Sequence, residues 1–421
     1  MFGVGEQNRT TATRPSDLKL NNRRQILEIF KAGGVHSMAD IAREVGVSRQ
    51  TVTKAVQFFL DKDVIVSMGK AASGSMGGKR AEIFSLSAEG CLFGVLICPD
   101  YVFVSLFNLR CEVIDTHTVS DIEPKDIDAI TELIGKICNG LMEEHGICRE
   151  SVRGVCVATS GIVCRSTKRL HFNALFPAWG TDIPIADKLA GCFAPDTLIV
   201  VENVGKVCGS VYLHERVDSW SRGAIVFSAW GGVVACLMHN GVILSGRDSL
   251  IGEIGHMIIA PDDDEVCGCG SRGCFERQVS PERLRAAVAR ELPNYPDSAL
   301  KGCAPDQLGI REVFAASAAG DALAMTLSGR AAHHYATALR NMTLLYNPDW
   351  VIFQGDCANA DAHFVSSMFG ELSTFRYYSE TAGQEGPFRL HMDTRPIPEL
   401  ATLGAYNLLL EHLFSDESTW D

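Results

Sequence analysis

The chain has 421 residues, of which 46% are hydrophobic, and its 38 Lys and Arg against 51 Asp and Glu give a formal net charge of −13. This length and apolar content exclude a disordered tail and predict two or three domains with sizeable cores. No apolar run approaches the roughly 18 residues of a membrane span, and the first residues lack a signal-peptide pattern, so we expect a cytoplasmic protein with no membrane contact.

The charge is unevenly divided along the chain. Residues 1–90 hold 13 Lys and Arg against 9 Asp and Glu, a charge of +4, and the remaining residues hold 25 against 42, a charge of −17. A mildly basic head on a strongly acidic body predicts that only the head meets DNA.

The head is predicted to be a winged helix-turn-helix domain at residues 17–87, preceded by a flexible polar arm at residues 1–16. Residues 38–45 predict a short helix with an apolar inner face. Gly46 then permits a tight turn, and Ser48 is suited to cap a second helix, which completes the helix-turn-helix pattern.

The second of these helices has a polar face suited to reading DNA. Its outward side chains carry no acid before Asp61 and are expected to reach base edges and phosphates: Arg49, Gln50, Thr53, Lys54 and Gln57. Two strand-like segments joined by a Gly- and Ser-rich loop follow, and they predict a wing with basic residues over the phosphates: Lys70, Lys79 and Arg80. The alternative is an ordinary helical domain with a flexible hairpin, but spacing, polar face and basic wing together favour DNA binding.

From about residue 88 onward, apolar strand-like segments alternate with helical ones, which is typical of an α/β architecture. We expect two α/β lobes with a cleft between them, the first at residues 88–208 and the second at residues 209–421. The C-terminal helix is expected to pack back on the first lobe.

One segment, residues 252–276, is rich in residue types that bind metals. One imidazole and three thiols fall within 19 residues: His256, Cys267, Cys269 and Cys274. This donor set is typical of structural zinc, because four protein ligands leave no open position for a reactive water. The alternative is a cysteine-rich loop without metal. The chain has 15 cysteines in all, and the others are scattered singly in apolar surroundings.

The same segment carries a recognisable family motif. GEIGH followed by CxCGxxGCxE resembles the signature of the ROK family (repressors, open reading frames and sugar kinases), and NPDWVIFQG and TLGAY are similar to two further family stretches. With its N-terminal winged helix, the chain resembles the repressor branch of that family from about residue 17 to residue 415. The resemblance implies a sugar-kinase-like body of the ribonuclease H-like, actin-like ATPase class, used for effector binding and dimerisation.

The resemblance also implies a sugar site in the cleft. Carried over residue by residue, the groups that hold the sugar are Asn203, Glu253, His256 and Glu276, and we expect Gly161 and Asn173 as walls. The Asp that serves the family kinases as general base is replaced by Val204, and loss of a general base typically costs about 10² to 10⁴ in rate. The alternative role for Glu253 and Glu276 is only to support the zinc loop.

Other kinase segments also depart from the family pattern. Cys98, Pro99 and Asp100 stand at the Gly, Gly and Thr positions of the first phosphate loop, Trp230 stands in the second glycine loop, and Asp356 stands on the adenine side. A carboxylate repels phosphate, and proline removes a backbone donor. Several departures at once argue against phosphoryl transfer, so we expect that the protein is not an enzyme.

Together these features predict a sugar-responsive transcriptional regulator and favour a repressor of carbohydrate uptake or catabolism genes. We expect a homodimer or higher oligomer that binds a double-stranded DNA operator and responds to a sugar or sugar derivative, with structural Zn²⁺ as its cofactor. The alternatives are a ROK sugar kinase, a DNA-binding protein that needs no ligand, and a regulator that responds to a protein partner.

Overall fold

The computed structural model describes residues 15–71, 80–122, 125–164, 167–214, 223–304, 307–381 and 386–414. Most of the predicted arm and Lys79 of the predicted wing lie outside these described residues. The first helix begins at Pro15, two residues before the predicted start of the head.

The described helices, α1 to α14 in chain order, are Pro15–Lys31, Met38–Val45, Arg49–Asp61, Ile127–Glu144, Ile185–Leu189, Val204–Gly209, Val211–His214, Phe275–Gln278, Pro281–Glu291, Ile310–Ala318, Ala322–Tyr346, Ala362–Ser373, Arg376–Thr381 and Ile397–Phe414. The described strands, β1 to β15, are His36–Ser37, Ile65–Lys70, Glu82–Leu86, Cys91–Ile97, Tyr101–Asn108, Val113–Ser120, Val152–Thr159, Ile162–Cys164, Arg169–Phe172, Leu198–Asn203, Ala224–Trp230, Gly232–His239, Val242–Ile243, Trp350–Gly355 and Arg389–Asp393. Among these helices, none combines the length and the apolar composition needed to cross a membrane.

The head consists of α1, α2, α3 and a sheet in the order β1-β3-β2. Ser37 and Asp40 form a capping box at the start of α2, Gly46 ends that helix in the left-handed conformation, and the Ser48 side chain caps α3. The inward side chains form one buried core: Ile26, Phe30, Ile41, Val52, Val56 and Phe59. Because β2 and β3 pair as an antiparallel wing, the predicted winged helix-turn-helix is confirmed.

The body contains two five-stranded sheets with the same plan. Lobe 1 has the order β10-β7-β4-β5-β6, and lobe 2 has the order β13-β12-β11-β14-β15. In each lobe three consecutive strands form an antiparallel meander, and two later strands extend the sheet in parallel from the first of them. Helices provide the crossovers that parallel strands require. The predicted two-lobed α/β body is confirmed.

The last helix, α14, packs on the lobe 1 strands β4 and β7 and on α6, and α6 in turn packs on β12 of lobe 2. Thr402 Oγ1 of α14 lies 2.9 Å from Ser105 Oγ of β5 in lobe 1. A glycine in α14 lets the backbones of α14 and α6 approach each other closely. A β-carbon at Gly404 would lie only 2.0 Å from the carbonyl oxygen of Val207. The two lobes are therefore joined through tightly packed helix backbones.

The head rests on the body through α14. Lys31 Nζ donates to Asn407 Oδ1 at 2.9 Å, and Arg24 pairs with Glu411. Burial lowers the pKa of Lys31. Apolar side chains of the head and of α14 also belong to one continuous buried cluster. Packing, as well as chain connectivity, thus fixes the head on the body.

The contact at Gly404 gives a stability prediction. Gly404→Ala forces the α6 and α14 backbones apart, so we expect it to cost about 1–3 kcal/mol and to lower the midpoint of thermal unfolding. Gly140→Ala is the matched control, because Gly140 lies in the exposed part of α4 with no atom within 4 Å of an added β-carbon. The control is expected to raise stability by about 0.5–1 kcal/mol, the usual effect of Ala for Gly in a helix. Equal midpoints for the two variants would contradict the packing argument.

Candidate functional site

The cleft between the lobes brings together all six residues that the sequence suggested for ligand binding. Lobe 1 and the start of α6 contribute Gly161, Asn173 and Asn203, and lobe 2 contributes Glu253, His256 and Glu276. The six positions span residues 161 to 276. Gly161 and Asn203 meet because the parallel strands β7 and β10 end at the same edge of the lobe 1 sheet, and the segment after β13 brings Glu253, His256 and Glu276 to them from lobe 2. Their shared position makes the cleft the candidate ligand site.

Asn203 ends β10 and caps α6, and both amide protons of its side chain are hydrogen-bonded within the protein. Its Oδ1 accepts the Gly205 N–H at 2.8 Å, while its Nδ2 donates to the Gly161 carbonyl oxygen at 2.8 Å and to Glu253 Oε1 at 3.1 Å. Both amide protons are used in these two bonds. Asn203 therefore holds Glu253 in place, and it has only acceptor capacity left for a ligand.

A tight loop after β7 forms the wall of the cleft in lobe 1. Gly161 has φ 94°, and a β-carbon there would lie 2.4 Å from the Phe172 carbonyl oxygen, so this position requires glycine. Asn173 is fully buried, and its Nδ2 donates to the carbonyl oxygen of Ser160 at 3.1 Å. These contacts fix the loop against β9.

Two carboxylates face the cleft from lobe 2. Glu276 Oε2 accepts the Val233 N–H at 2.8 Å, which orients it, and Glu253 is held by Asn203. Burial raises the pKa of Glu253 to about 7, Lys206 opposes the rise and Glu276 adds to it. The pair offers hydrogen-bond acceptors to hydroxyl groups.

Lys206 is a buried cation beneath this pair that the sequence analysis missed. Its Nζ lies 3.6 Å from Glu202 Oε1 and has no hydrogen-bond partner among the described residues. From the sequence alone, Glu202 and Lys206 look like an ordinary i, i+4 ion pair on the surface of a helix. Burial of α6 between the lobes, which only the fold decides, turns this pair into part of the charge balance of the cleft.

One side of the cleft is apolar. Val204, at the position of the kinase base, is 5% exposed, and a thiol and a prolyl ring of lobe 1, Cys98 and Pro99, line the same side. Trp230 and Val234 complete this side from lobe 2. Where a family kinase has a carboxylate, the cleft thus presents only hydrocarbon.

The three cysteines and the histidine of the GEIGH segment converge into one cluster beside the cleft. Cys267 Sγ lies 3.5 Å from His256 Nδ1, Cys269 Sγ lies 3.6 Å from Cys274 Sγ, and the four ligand atoms are all within 4.8 Å of one another. Since Nδ1 faces the thiols, Nε2 remains for the cleft.

Glycines bring the cysteine loop against neighbouring backbone. A β-carbon at Gly273 would lie 2.0 Å from the Ala260 carbonyl oxygen, and one at Gly268 would lie 2.2 Å from that of Ala174. Ala174 follows Asn173, so the loop touches the lobe 1 wall of the ligand cleft directly. The cluster therefore supports both sides of the cleft.

A second, larger cavity of about 650 Å³ adjoins the cleft in lobe 2. It shares Trp230 and Glu276 with the cleft and continues between α9 and α11. Its three arginines are already paired: Arg283 with Asp263, and Arg290 and Arg330 with Glu291. The sequence did not reveal this cavity, because it lies between elements about 50 residues apart.

The predicted DNA-binding face of α3 is exposed along its whole length, at Arg49, Gln50, Thr53, Lys54 and Gln57. The Thr53 hydroxyl donates to the Arg49 carbonyl oxygen at 2.9 Å, and Gln57 Nε2 donates to Asp61 Oδ1 at 2.8 Å. On the wing, Lys70 and Arg80 are both exposed, and Lys79 lies outside the described residues. The basic residues of α3 and the two described basic residues of the wing are thus open to solvent.

Two family descriptions match the chain. The description of a winged helix-turn-helix DNA-binding domain matches residues 20–66, and that of the ROK family matches residues 93–382, more than half of the chain. The chain belongs to the ROK family. This confirms the resemblance that the GEIGH and cysteine motifs indicated.

Both branches of the ROK family occur among similar proteins. A glucokinase of Thermotoga maritima is 26% identical over 51% of this chain and 66% of its own length. The N-acetylglucosamine repressor of Escherichia coli O157:H7 is 23% identical over 85% of this chain and 86% of its own length. Among solved structures, a ROK transcriptional regulator described as a homologue of the Escherichia coli MLC protein has a TM-score of 0.74 at 18% identity and covers 95% of this chain and 100% of its own. That likeness shows a shared fold, head included.

Proposed function

We propose that this ROK protein is a sugar-responsive DNA-binding transcriptional regulator that represses carbohydrate uptake or catabolism genes. The proposal rests on one combination: an exposed recognition face in α3 that carries no acid before Asp61, and a sugar-kinase-like cleft with Val204 at the base position. The similarity over most of its length to an N-acetylglucosamine repressor supports it.

In this proposal the polar face of α3 enters the major groove, and Arg49 and Gln50 near its N-terminus contact base edges. Lys70, Lys79 and Arg80 of the wing neutralise phosphates and add affinity that does not depend on sequence. Two heads of a homodimer bind the half-sites of a pseudo-palindromic operator in the cytoplasm. The acidic body stays clear of the duplex, because like charges repel.

The competing function is sugar phosphorylation. Val204 cannot take a proton from a sugar hydroxyl, and Pro99 cannot donate a backbone hydrogen bond to a phosphate. An ADP-release assay with hexoses and amino sugars distinguishes the two, because a kinase consumes ATP and a regulator of this kind does not. A DNA-binding protein that needs no ligand differs from both in gaining no stability from any sugar.

We further propose that the cluster of His256, Cys267, Cys269 and Cys274 holds a structural zinc ion. Zinc bonds of about 2.3 Å to sulfur and about 2.0 Å to nitrogen at tetrahedral angles require ligand atoms about 3.5 to 3.8 Å apart. The sulfur–nitrogen contact of 3.5 Å and the sulfur–sulfur contact of 3.6 Å fit this requirement. The ion would fix the loop that supports Ala174 and the cleft wall.

The signal from the cleft is proposed to reach the head through α6 and α14. Asn203 links Glu253 to the start of α6, the Val207 carbonyl oxygen packs on Gly404, and Asn407, one turn further along α14, accepts from Lys31 of the head. A ligand that shifts Glu253 therefore moves a short rigid helix under the helix that carries the head. Sugar affinity and DNA affinity are then thermodynamically linked.

Base reading and phosphate contact predict different effects of mutation. Arg49→Ala should weaken binding to the operator by about 1–3 kcal/mol and binding to a scrambled duplex much less. Arg80→Ala should weaken both duplexes alike and reduce the slope of log affinity against log salt by about one. Fluorescence anisotropy with the upstream region of the gene measures both effects, and Lys136→Ala on the exposed face of α4 is the control. An equal loss of affinity for every duplex in Arg49→Ala would contradict the proposed role of Arg49 in base reading.

The zinc assignment predicts a metal content of about one zinc per chain. Cys269→Ser removes one thiolate, so it should lose the metal and lower the midpoint of thermal unfolding, as prolonged chelation of the parent protein should. Cys148→Ser, which changes an exposed cysteine outside the cluster, should keep the metal. Gently purified parent protein without zinc would remove the assignment.

The head contact predicts a loss of coupling when it is broken. Glu411→Lys repels Arg24, so the ratio of DNA dissociation constants with and without sugar should fall toward one while DNA binding persists. Glu143→Lys, the same charge reversal on the exposed surface of α4, is the control. The sugar used is the one that raises the unfolding midpoint of the parent protein most. An unchanged ratio in Glu411→Lys would refute transmission through this contact.

A further inference from the structure

The residues that line the ligand cleft are of two chemical kinds. The polar side, as named here, consists of the lobe 2 carboxylates Glu253 and Glu276 with Asn173, Asn203 and His256. The apolar side consists of the remaining large lining groups: Ile97, Cys98, Pro99, Val204, Trp230 and Val234. Val234 packs on Gly205 beside Val204, and Pro99 lies near Gly231 beside Trp230. A ligand that fills the cleft must place polar groups against the polar side and apolar groups against the apolar side.

The polar side accepts hydrogen bonds more readily than it donates them. The Asn203 amide protons are already used, and one oxygen of Glu276 is occupied by the Val233 N–H. The free oxygens of the two carboxylates require hydroxyl or N–H donors. A ring with neighbouring hydroxyl groups provides such donors.

The charge of the cleft disfavours an anion. Glu253 and Glu276 lie close enough for their charges to interact, and no lysine or arginine is among the described residues that line the cleft. The nearest buried cation, Lys206, is 3.6 Å from Glu202 below the cleft and balances carboxylates that are already present. A phosphate or carboxylate group on the ligand would meet repulsion without a partner.

The apolar side has few free polar atoms. Burial raises the pKa of the Cys98 thiol, and the neighbouring side chains of Tyr101 and Trp230 oppose that rise. Pro99 has no N–H, and the Val204 side chain is hydrocarbon. A ligand hydroxyl pressed against Val204 would lose its bonds to water and gain none from that side chain.

We infer that the cleft selects a neutral deoxy sugar, bound by its hydroxyl edge to Glu253 and Glu276 and by a deoxygenated edge against Val204. This inference rests on the proposed function, because it names the chemical class of the effector. Val204 is then a specificity-determining residue: the substitution that removes the base also excludes a hydroxyl.

Isothermal titration calorimetry of the full-length protein with matched sugars tests this. The panel is glucose, galactose and mannose, the 2-deoxy and 6-deoxy analogue of each, and glucose 6-phosphate. We expect one deoxy analogue to bind about tenfold tighter than its parent hexose, equivalent to about 1.4 kcal/mol, and the phosphate not to bind. A parent hexose that binds tighter than both of its deoxy analogues, or tight binding of the phosphate, overturns the inference and leaves the sugar-responsive function standing. No binding by any sugar overturns both.

A variant of Val204 separates its role from general stability. Val204→Thr keeps the shape of the side chain and adds a hydroxyl, so the preference for the deoxy analogue should fall to about parity. Val211→Thr is the control, since Val211 is equally buried, at 3% exposed, on the next helix and does not line the cleft. A preference that persists in Val204→Thr would show that Val204 does not determine the selection.

Discussion

The structure depends on the contact between α6 and α14. Gly404 lets the two helix backbones approach so closely that any side chain would meet the Val207 carbonyl oxygen. Because α6 starts at the cleft and α14 carries the head, three parts of the molecule share this one contact. Packed backbones adjust poorly to small displacements, which is the physical basis of the proposed transmission from the cleft to the head.

The cleft shows how loss of one carboxylate changes the chemistry of a kinase-like site. Asn203 and the Val233 N–H hold Glu253 and Glu276 at the cleft, and Val204 stands where a family kinase has its base. In the proposed regulator, the binding energy of such a site would serve a conformational change instead of a reaction. The cysteine cluster suits this use, because it ties the lobe 2 loop to the Ala174 backbone across the cleft.

The head and the body differ in charge and in the position of their charged residues. The basic residues of α3 are exposed, as are Lys70 and Arg80 of the wing, while Lys31 and Lys206 lie near carboxylate and amide oxygens inside the protein. A body with a charge of −17 repels DNA and favours contact through the head only. The net charge of the chain is therefore a poor guide to its partner, and the charge of each part is a better one.

The sequence by itself determined the features that depend on near neighbours in the chain. The cap at Ser48, the outward face of α3 and the set of cysteines around Gly268 and Gly273 follow from local spacing. Alternating strands and helices gave the α/β class, and the ROK motif indicated which residues would share the cleft.

Only the tertiary structure decided what surrounds these groups. Asn203 reads as a free ligand contact, yet both of its amide protons are taken by Gly161 and Glu253. Lys206 looks like a surface residue in the sequence and is buried between the lobes. Gly404 stands in the TLGAY stretch, but only the structure shows that it packs on the Val207 carbonyl oxygen. The physical reason is that hydrogen-bond satisfaction, burial and close packing depend on partners 40 to 200 residues away, whose positions no local pattern encodes.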